Sequence, residues 1–547
     1  MQKTCRWCQL GFEVTEEDRA FYAKQRVGEP SLCVECRQQR RAAFRNERKL
    51  HRRKCDRTGE SMISIYAAEV PFKVYKPAVW WSDQWDPLDY GRDYDFSRTF
   101  FEQYRELQAE VPRLALYQKN VENAEFTNHT MDLKNGYLCV DVGMSEDVCY
   151  SNWIIDCRDV VDCYQMESSE LCYESLYAVD NYNCVGLYLS DRNRDSAFLY
   201  DCNDCSDCYM SWNLRKKRFC IENKQYSEEE YRARMKEIDL GSYKVFEQER
   251  LKFAQHLERS GIRCDQHLVS SEDSAGDLIY QCKNVNESFE VINSQDCRYC
   301  YLTGYAVDCM DVFQSAIACE RQYECHGCNR SKFVTGCSIS YDCAECYYCE
   351  MCHNSRDLLG CIGLRHKQYC ILNKQYSESD YRELAGKIFQ QMKRDGEWGE
   401  FFPPELSPFA YNETVAMDYY PLSRVEAEAR GWKWRAEDDV REAVAGAEIP
   451  DHIDDCDQSL CSKVMVCAVT GRPFKITELE FKICKKMAVP LPRKCPDQRY
   501  RERMALRNPW KLFERKCGKC AAEVRSSFAK NAPQTVYCEQ CYLAEVY

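Results

Sequence analysis

Between about 126 and 220, and again between about 282 and 370, the apolar residues come in short phrases, not in helical stripes. Asp147-Val-Cys-Tyr150, Val161-Asp-Cys-Tyr164, Glu170-Leu-Cys-Tyr173 and Ser206-Asp-Cys-Tyr209 are typical. Each phrase holds two or three apolar residues bounded by Asp, Asn or Ser, and no 3.6-residue period runs through them. The pattern predicts strands. Its repetition predicts a β-solenoid, whose successive turns stack small side chains into ladders. Buried thiols suit such ladders because cysteine behaves as a small hydrophobe.

The tract is internally duplicated. Cys220-Ile-Glu-Asn-Lys-Gln-Tyr-Ser227 returns 150 residues later as Cys370-Ile-Leu-Asn-Lys-Gln-Tyr-Ser377. Each copy is followed by a predicted helix, with Ser227 and Glu230 forming a capping box and Ser377 and Asp380 a weaker one. Two other segments interrupt the strand pattern. Residues 79–107 are rich in aromatics and acids, and Ser97 is expected to cap a helix carrying Phe100, Phe101, Tyr104 and Leu107 on a docking face. Residues 401–434 carry Pro and aromatic residues and read as an extended strap.

The two ends also match each other, at a constant offset of 462. Phe12, Cys33, Arg45-Asn46, Arg53-Lys-Cys55 and Val74-Tyr75 answer to Phe474, Cys495, Arg507-Asn508, Arg515-Lys-Cys517 and Val536-Tyr537. The repeating unit has room for two four-cysteine metal sites, and each copy keeps one. At the N-terminus the first site is complete, Cys5-x-x-Cys8 with Cys33-x-x-Cys36; at the C-terminus its second members are Thr470 and Gln498. The second site is complete only at the C-terminus, as Cys517-x-x-Cys520 with Cys538-x-x-Cys541. Each knuckle supplies two soft ligands, and two knuckles at this spacing predict tetrahedral zinc. Cys461, Cys467, Cys484 and Cys495 are a third candidate set, with irregular spacing. The run Cys343, Cys346, Cys349, Cys352 has ferredoxin-like spacing but lacks the usual last gap and the proline after it.

Composition narrows the class. The chain has 547 residues, 45% of them hydrophobic and 30% charged, which suits several folded domains. No apolar run has membrane-spanning length, and the opening residues have no signal-peptide core. The odd count of 39 cysteines cannot be fully paired within the chain, which favours a reducing cytoplasm. Net charge is −13, yet residues 37–54 carry nine cations against Glu47 alone. The chain therefore has basic ends and an acidic body.

Residues 5–54 resemble the zinc-ribbon (treble-clef) families of bacteria. The resemblance lies in Cys5-Arg-Trp-Cys8, Phe12, Phe21-Tyr22, Pro30, Cys33-Val-Glu-Cys36-Arg37 and Arg40-Arg41. It covers about a tenth of the chain, and it implies metal binding, not a reaction. In such a module a hairpin near Phe12–Thr15 separates the knuckles, and a helix starting near Cys36 carries Arg41, Arg45, Arg48 and Arg52 along one face. A basic face held by zinc suits phosphate backbones; pairing with the chain's own acids is the competing reading.

The sequence thus predicts a multi-domain, β-rich chain. Its expected parts are a zinc module at 1–60, a connector at 61–125, solenoid bodies at 126–260 and 261–395, a strap at 396–455 and a second zinc module at 456–547. The expected cofactor is zinc. Candidate nucleic-acid contacts are Arg37, Arg40, Arg41, Arg45, Arg48, Arg52, Arg503, Arg507 and Lys511. The expected partner is structured nucleic acid, RNA before DNA and ribosomal RNA among the candidates, with no membrane. The alternatives are a protein-interaction scaffold using an acidic, aromatic solenoid face, and a redox or metal-storage protein. No catalytic residue stands out, so no enzyme activity is assigned.

Overall fold

The computed structural model describes residues 1–314, 316–436 and 446–547, and for 316–320 the backbone alone. Residues 437–445, part of the expected strap, lie outside it. The chain is multi-domain and β-rich, and its contacts divide it into two units, neither continuous in sequence. Unit 1 comprises Met1–Leu116, Gln266–Ala436 and Pro509–Leu512; unit 2 comprises Tyr117–Asp265, Glu437–Asn508 and Phe513–Tyr547.

In unit 2 a thirteen-stranded sheet of mostly parallel pairs runs from Gln118 to Gln225. Its register is uniform, because parallel partners lie twelve residues apart, as in Val160–Cys172, Cys172–Cys184 and Cys208–Cys220. Seven of the strands, from Val140–Cys149 to Tyr182–Tyr188, close on themselves through the pairing of Glu170–Tyr173 with Tyr182–Tyr188. Unit 1 contains parallel sheets with the same spacing, including Cys297–Cys309 and Leu358–Cys370.

A finer period sits inside the twelve. Every third residue adopts a left-handed backbone, for example Asn120, Asn123, Phe126, His129 and Asp132, with φ between 49° and 54°. The buried core recurs on the same three-residue beat, with Val148, Ile154, Cys157, Val160, Cys163, Met166 and Cys172 all buried. Left-handed geometry costs an L-residue roughly 1–2 kcal/mol. Hydrogen bonds across neighbouring twelve-residue segments offset that cost. The N–H of left-handed Asp162 donates to Cys149 O, and the N–H of Glu146 donates to Cys157 O. At a subset of core-facing positions the N–H turns inward. A small polar side chain twelve residues earlier accepts it: Cys163 N–H bonds Ser151 Oγ at 3.0 Å, Ser175 N–H bonds Cys163 Sγ at 3.4 Å, and Leu187 N–H bonds Ser175 Oγ at 3.2 Å. The same hydroxyl or thiol donates to the carbonyl two residues before it. Serine and cysteine therefore do one job here, and the cysteine content follows from it.

Each sheet body ends in a helix, Glu228–Met235 after N-cap Ser227 and Glu378–Asp395 after N-cap Ser377. The connector helix is Phe100–Glu110, and its N-cap is Thr99, not the expected Ser97, whose hydroxyl is taken by Asp95. Phe100, Tyr104 and Leu107 are buried, with Phe100 and Tyr104 packed against Tyr348 and Phe402 of unit 1.

The terminal modules correspond element by element at the 462 offset. Hairpin strands His51–Lys54 and Ser61–Ser64 match Phe513–Lys516 and Glu523–Ser526, and helix Val34–Ala42 matches Pro496–Met504. Two details differ from expectation. The first hairpin, Gln2–Thr4 with Gly11–Glu13, holds the first knuckle in its turn, and Thr15 instead caps a helix. The basic helix stops at Ala42, so Arg45, Arg48 and Arg52 do not continue its face; Arg52 lies on the strand His51–Lys54.

Candidate metal centres and the buried arginine clusters

Among the described residues, two groups of ligands converge with all their donor atoms within 4.8 Å: Cys5, Cys8, Cys33, Cys36 and Cys517, Cys520, Cys538, Cys541. Four thiolates held 2.3 Å from a central zinc stand about 3.8 Å apart. Cys8 Sγ and Cys33 Sγ are 3.7 Å apart, and Cys520 Sγ and Cys538 Sγ are 3.8 Å apart. Both quartets therefore fit a tetrahedral, all-sulfur ion, and zinc is the usual one. Local backbone favours the thiolate at one cysteine of each quartet. Burial raises the Cys517 thiol, but the backbone N–H groups of Cys520, Cys538 and Lys519 outweigh it and bring it down to about 6. Similar backbone bonds bring Cys5 to about 7 against its burial. The N-terminal quartet is more enclosed, since three of its members are buried while Cys520 is exposed.

The third candidate set is not brought together. Cys467 and Cys495 stay near Thr470, whose hydroxyl lies 3.7 Å from Cys495 Sγ, but Cys484 is buried in the helix Glu478–Met487 and Cys461 is half-buried on a short 3-10 turn. Burial and the nearby Glu480 push the Cys484 thiol well up. The central cysteines belong to the cores, and Cys343, Cys346, Cys349 and Cys352 donate to backbone carbonyls.

Most of the arginines proposed for phosphate face inward. In unit 1, Arg37, Arg40 and Arg41 are at most 2% exposed. Arg37 pairs with Asp311 at 2.9 Å and Arg41 reaches the same carboxylate at 3.2 Å. Arg40 bridges Glu324 at 2.7 Å and Glu400 at 2.9 Å. Three cations thus meet three carboxylates. Arg45 is buried against Glu47, which also accepts from Gln314. Unit 2 repeats the device: Arg499 and Arg503 both bond Asp162, and Arg499 also bonds Glu480 at 2.8 Å. Arg507 reaches Tyr164 Oη at 3.0 Å. Only the rim stays accessible, with Arg48 half-buried, Arg52 exposed and exposed Lys511 paired to Glu35.

Arg37 and Arg41 stand 462 residues before Arg499 and Arg503, and both Asp162 and Asp311 sit at left-handed positions with φ 58° and 54°. Sequence inspection found the arginines but not their partners. The available signal was an Asp near the same place in the two central tracts, Val161-Asp162-Cys163 and Met310-Asp311-Val312, 149 residues apart and so one short of the 150-residue repeat.

No family model matches the chain, and no curated protein matches it either. No described helix is long and apolar enough to cross a membrane.

Proposed function

We propose that this chain is a non-enzymatic scaffold of two β-solenoid bodies, each joined to a zinc-binding, ribbon-like module, and that it acts by holding protein partners. The twelve-residue register, uniform in the parallel pairs of the large unit 2 sheet and broken in unit 1 by pairs at eleven residues (Leu268–Ile279) and thirteen (Val312–Cys325), supports the solenoid reading. The six parts expected from sequence are kept. So is a reducing, cytoplasmic setting, in keeping with described cysteines that form no disulfide.

The observation that carries the partner assignment is one exposed edge of unit 2. Met131, Ile155 and Val179 are exposed there at twenty-four-residue intervals in one column of the register, with Gly143 and exposed Glu167 between them, and exposed Met144 lies in the next column among exposed Asp132, Asp156 and Asp180. Aligned apolar and acidic positions on a rigid edge suit a basic, amphipathic protein segment. The burial of Arg37, Arg40, Arg41, Arg499 and Arg503 removes most of the cationic surface that structured RNA would need.

The test is purification from native cells of three forms: wild type, an edge variant Ile155→Arg/Val179→Arg, and a rim variant Arg48→Glu/Arg52→Glu. The scaffold reading expects protein partners that disappear only in the edge variant. Co-purifying RNA that is lost only in the rim variant, with binding that falls steeply with salt, would restore the nucleic-acid reading.

A further inference from the structure

The two modules dock on their solenoids through the same charge cluster, but only one docking helix is built on a complete metal site. In unit 1, Cys33 occupies the N-cap of helix Val34–Ala42 and Cys36 lies in its first turn; Arg37 follows directly. Cys33 makes no capping hydrogen bond. A nine-residue helix is marginal by itself, so its start must be fixed by something else. The four-sulfur group, tying Cys33 and Cys36 to Cys5 and Cys8, is the local structure that does so. The loop before it joins the cluster too, since Ser31 N–H bonds the Glu400 carboxylate that holds Arg40.

In unit 2 the matching helix Pro496–Met504 starts at Cys495, where the metal site is gone. Other chemistry holds its start. Pro496 occupies the first turn, Gln498 Nε2 donates to Glu502 at 3.0 Å, and the Thr470 hydroxyl sits against Cys495 at the separation that Cys8 keeps from Cys33. The knuckle backbone also survives: Gly471 N–H bonds Cys467 O at 3.0 Å, as Gln9 N–H bonds Cys5 O. The intact quartet of this module serves another contact. Cys541 lies on the helix Glu539–Val546, whose Tyr542 hydroxyl meets Asp201 and Arg215, and strand Thr535–Tyr537 pairs with Ile262–Cys264.

We propose that the chain contains one metal-gated and one metal-independent latch: loss of metal from Cys5–Cys8–Cys33–Cys36 frees the arginine helix from Asp311 and Glu324, whereas the equivalent docking of Arg499 and Arg503 on Asp162 persists. Without the helix, two carboxylates buried in unit 1 lose their counter-charges, so the strands carrying them open as well. Removing metal from the second quartet instead loosens the Tyr542 contact. This rests on the zinc reading, so metal is assayed in the same samples.

The experiment is peptide-resolved hydrogen exchange on the full chain with and without a zinc chelator, with zinc measured by elemental analysis. Amides in 33–42, 310–326 and 201–215 are expected to exchange about tenfold faster or more after zinc loss, while 150–162 and 496–504 change less than about twofold. The variant Thr470→Cys/Gln498→Cys is expected to bind a third zinc and to make 150–162 respond as well. Equal acceleration in 150–162 and 310–326 of the wild type, or no change in 310–326 despite measured zinc loss, overturns the proposal. A folded preparation that contains no zinc refutes the metal reading itself and takes the proposal with it.

Discussion

Ser175 shows how much one hydroxyl does in these bodies. It donates to Tyr173 O and accepts the inward N–H of Leu187. Ser175→Cys keeps both roles and should change stability little. Ser175→Val leaves the Leu187 N–H unsatisfied in a closed core and should cost about 1–3 kcal/mol, read by denaturant unfolding. The reverse ordering would mean that packing, not hydrogen bonding, selects the inward side chains. Asp162 makes a stronger case, because it accepts from both Arg499 and Arg503. Replacing it by Leu leaves buried Arg503 without a carboxylate and Arg499 with Glu480 alone, and should destabilise unit 2 by about 3–5 kcal/mol. Asp311→Leu should do the same to unit 1, and a loss below about 1 kcal/mol in both would show that the clusters are solvated.

At the scale of elements, the sequence was readable wherever the governing interaction is local. Ser227 and Glu230 announced their helix because a capping box lies within four residues, and Ser227→Ala is expected to cost about 1 kcal/mol, measured as a fall in the denaturation midpoint. The cysteine knuckles were readable for the same reason. The β-rich character showed in phrases such as Glu170-Leu-Cys-Tyr173. The three-residue beat did not, although Cys157, Cys163, Cys172, Cys184, Cys202, Cys205, Cys208 and Cys220 are all separated by multiples of three. That spacing resembles neither a helix nor an ordinary alternating strand, because each third residue is left-handed and turns the chain. The burial of the arginine face was not legible because its partners, Asp311 and Glu324, lie more than 270 residues away. No local pattern distinguishes a solvated basic helix from one neutralised by distant acids.

At the scale of the molecule, the 462-residue repeat fixes how many metal sites remain. Elemental analysis should find two zinc ions per chain. Cys538→Ser should remove one of them, and Cys467→Ser should remove none, since Cys467 lacks a complete quartet. A third zinc lost with Cys467→Ser would show that Thr470 or Gln498 is replaced by a ligand from elsewhere. The two units are also interleaved, with each drawing its module from one end of the chain and its sheets from the middle.

That interleaving sets a schedule for synthesis. Arg37 leaves the ribosome 274 residues before Asp311, and Asp162 leaves it 337 residues before Arg499. At roughly 5–20 residues per second, the first wait is about 14–55 s. Throughout it, the N-terminal helix carries three cations whose partner acids do not yet exist, and from residue 162 onward the newborn first sheet body displays a carboxylate whose own arginines do not yet exist. Arg37 and Asp162 are thus both present and both unmatched during the same interval. Fidelity of assembly depends on the early module waiting for the later acid instead of seizing the earlier one.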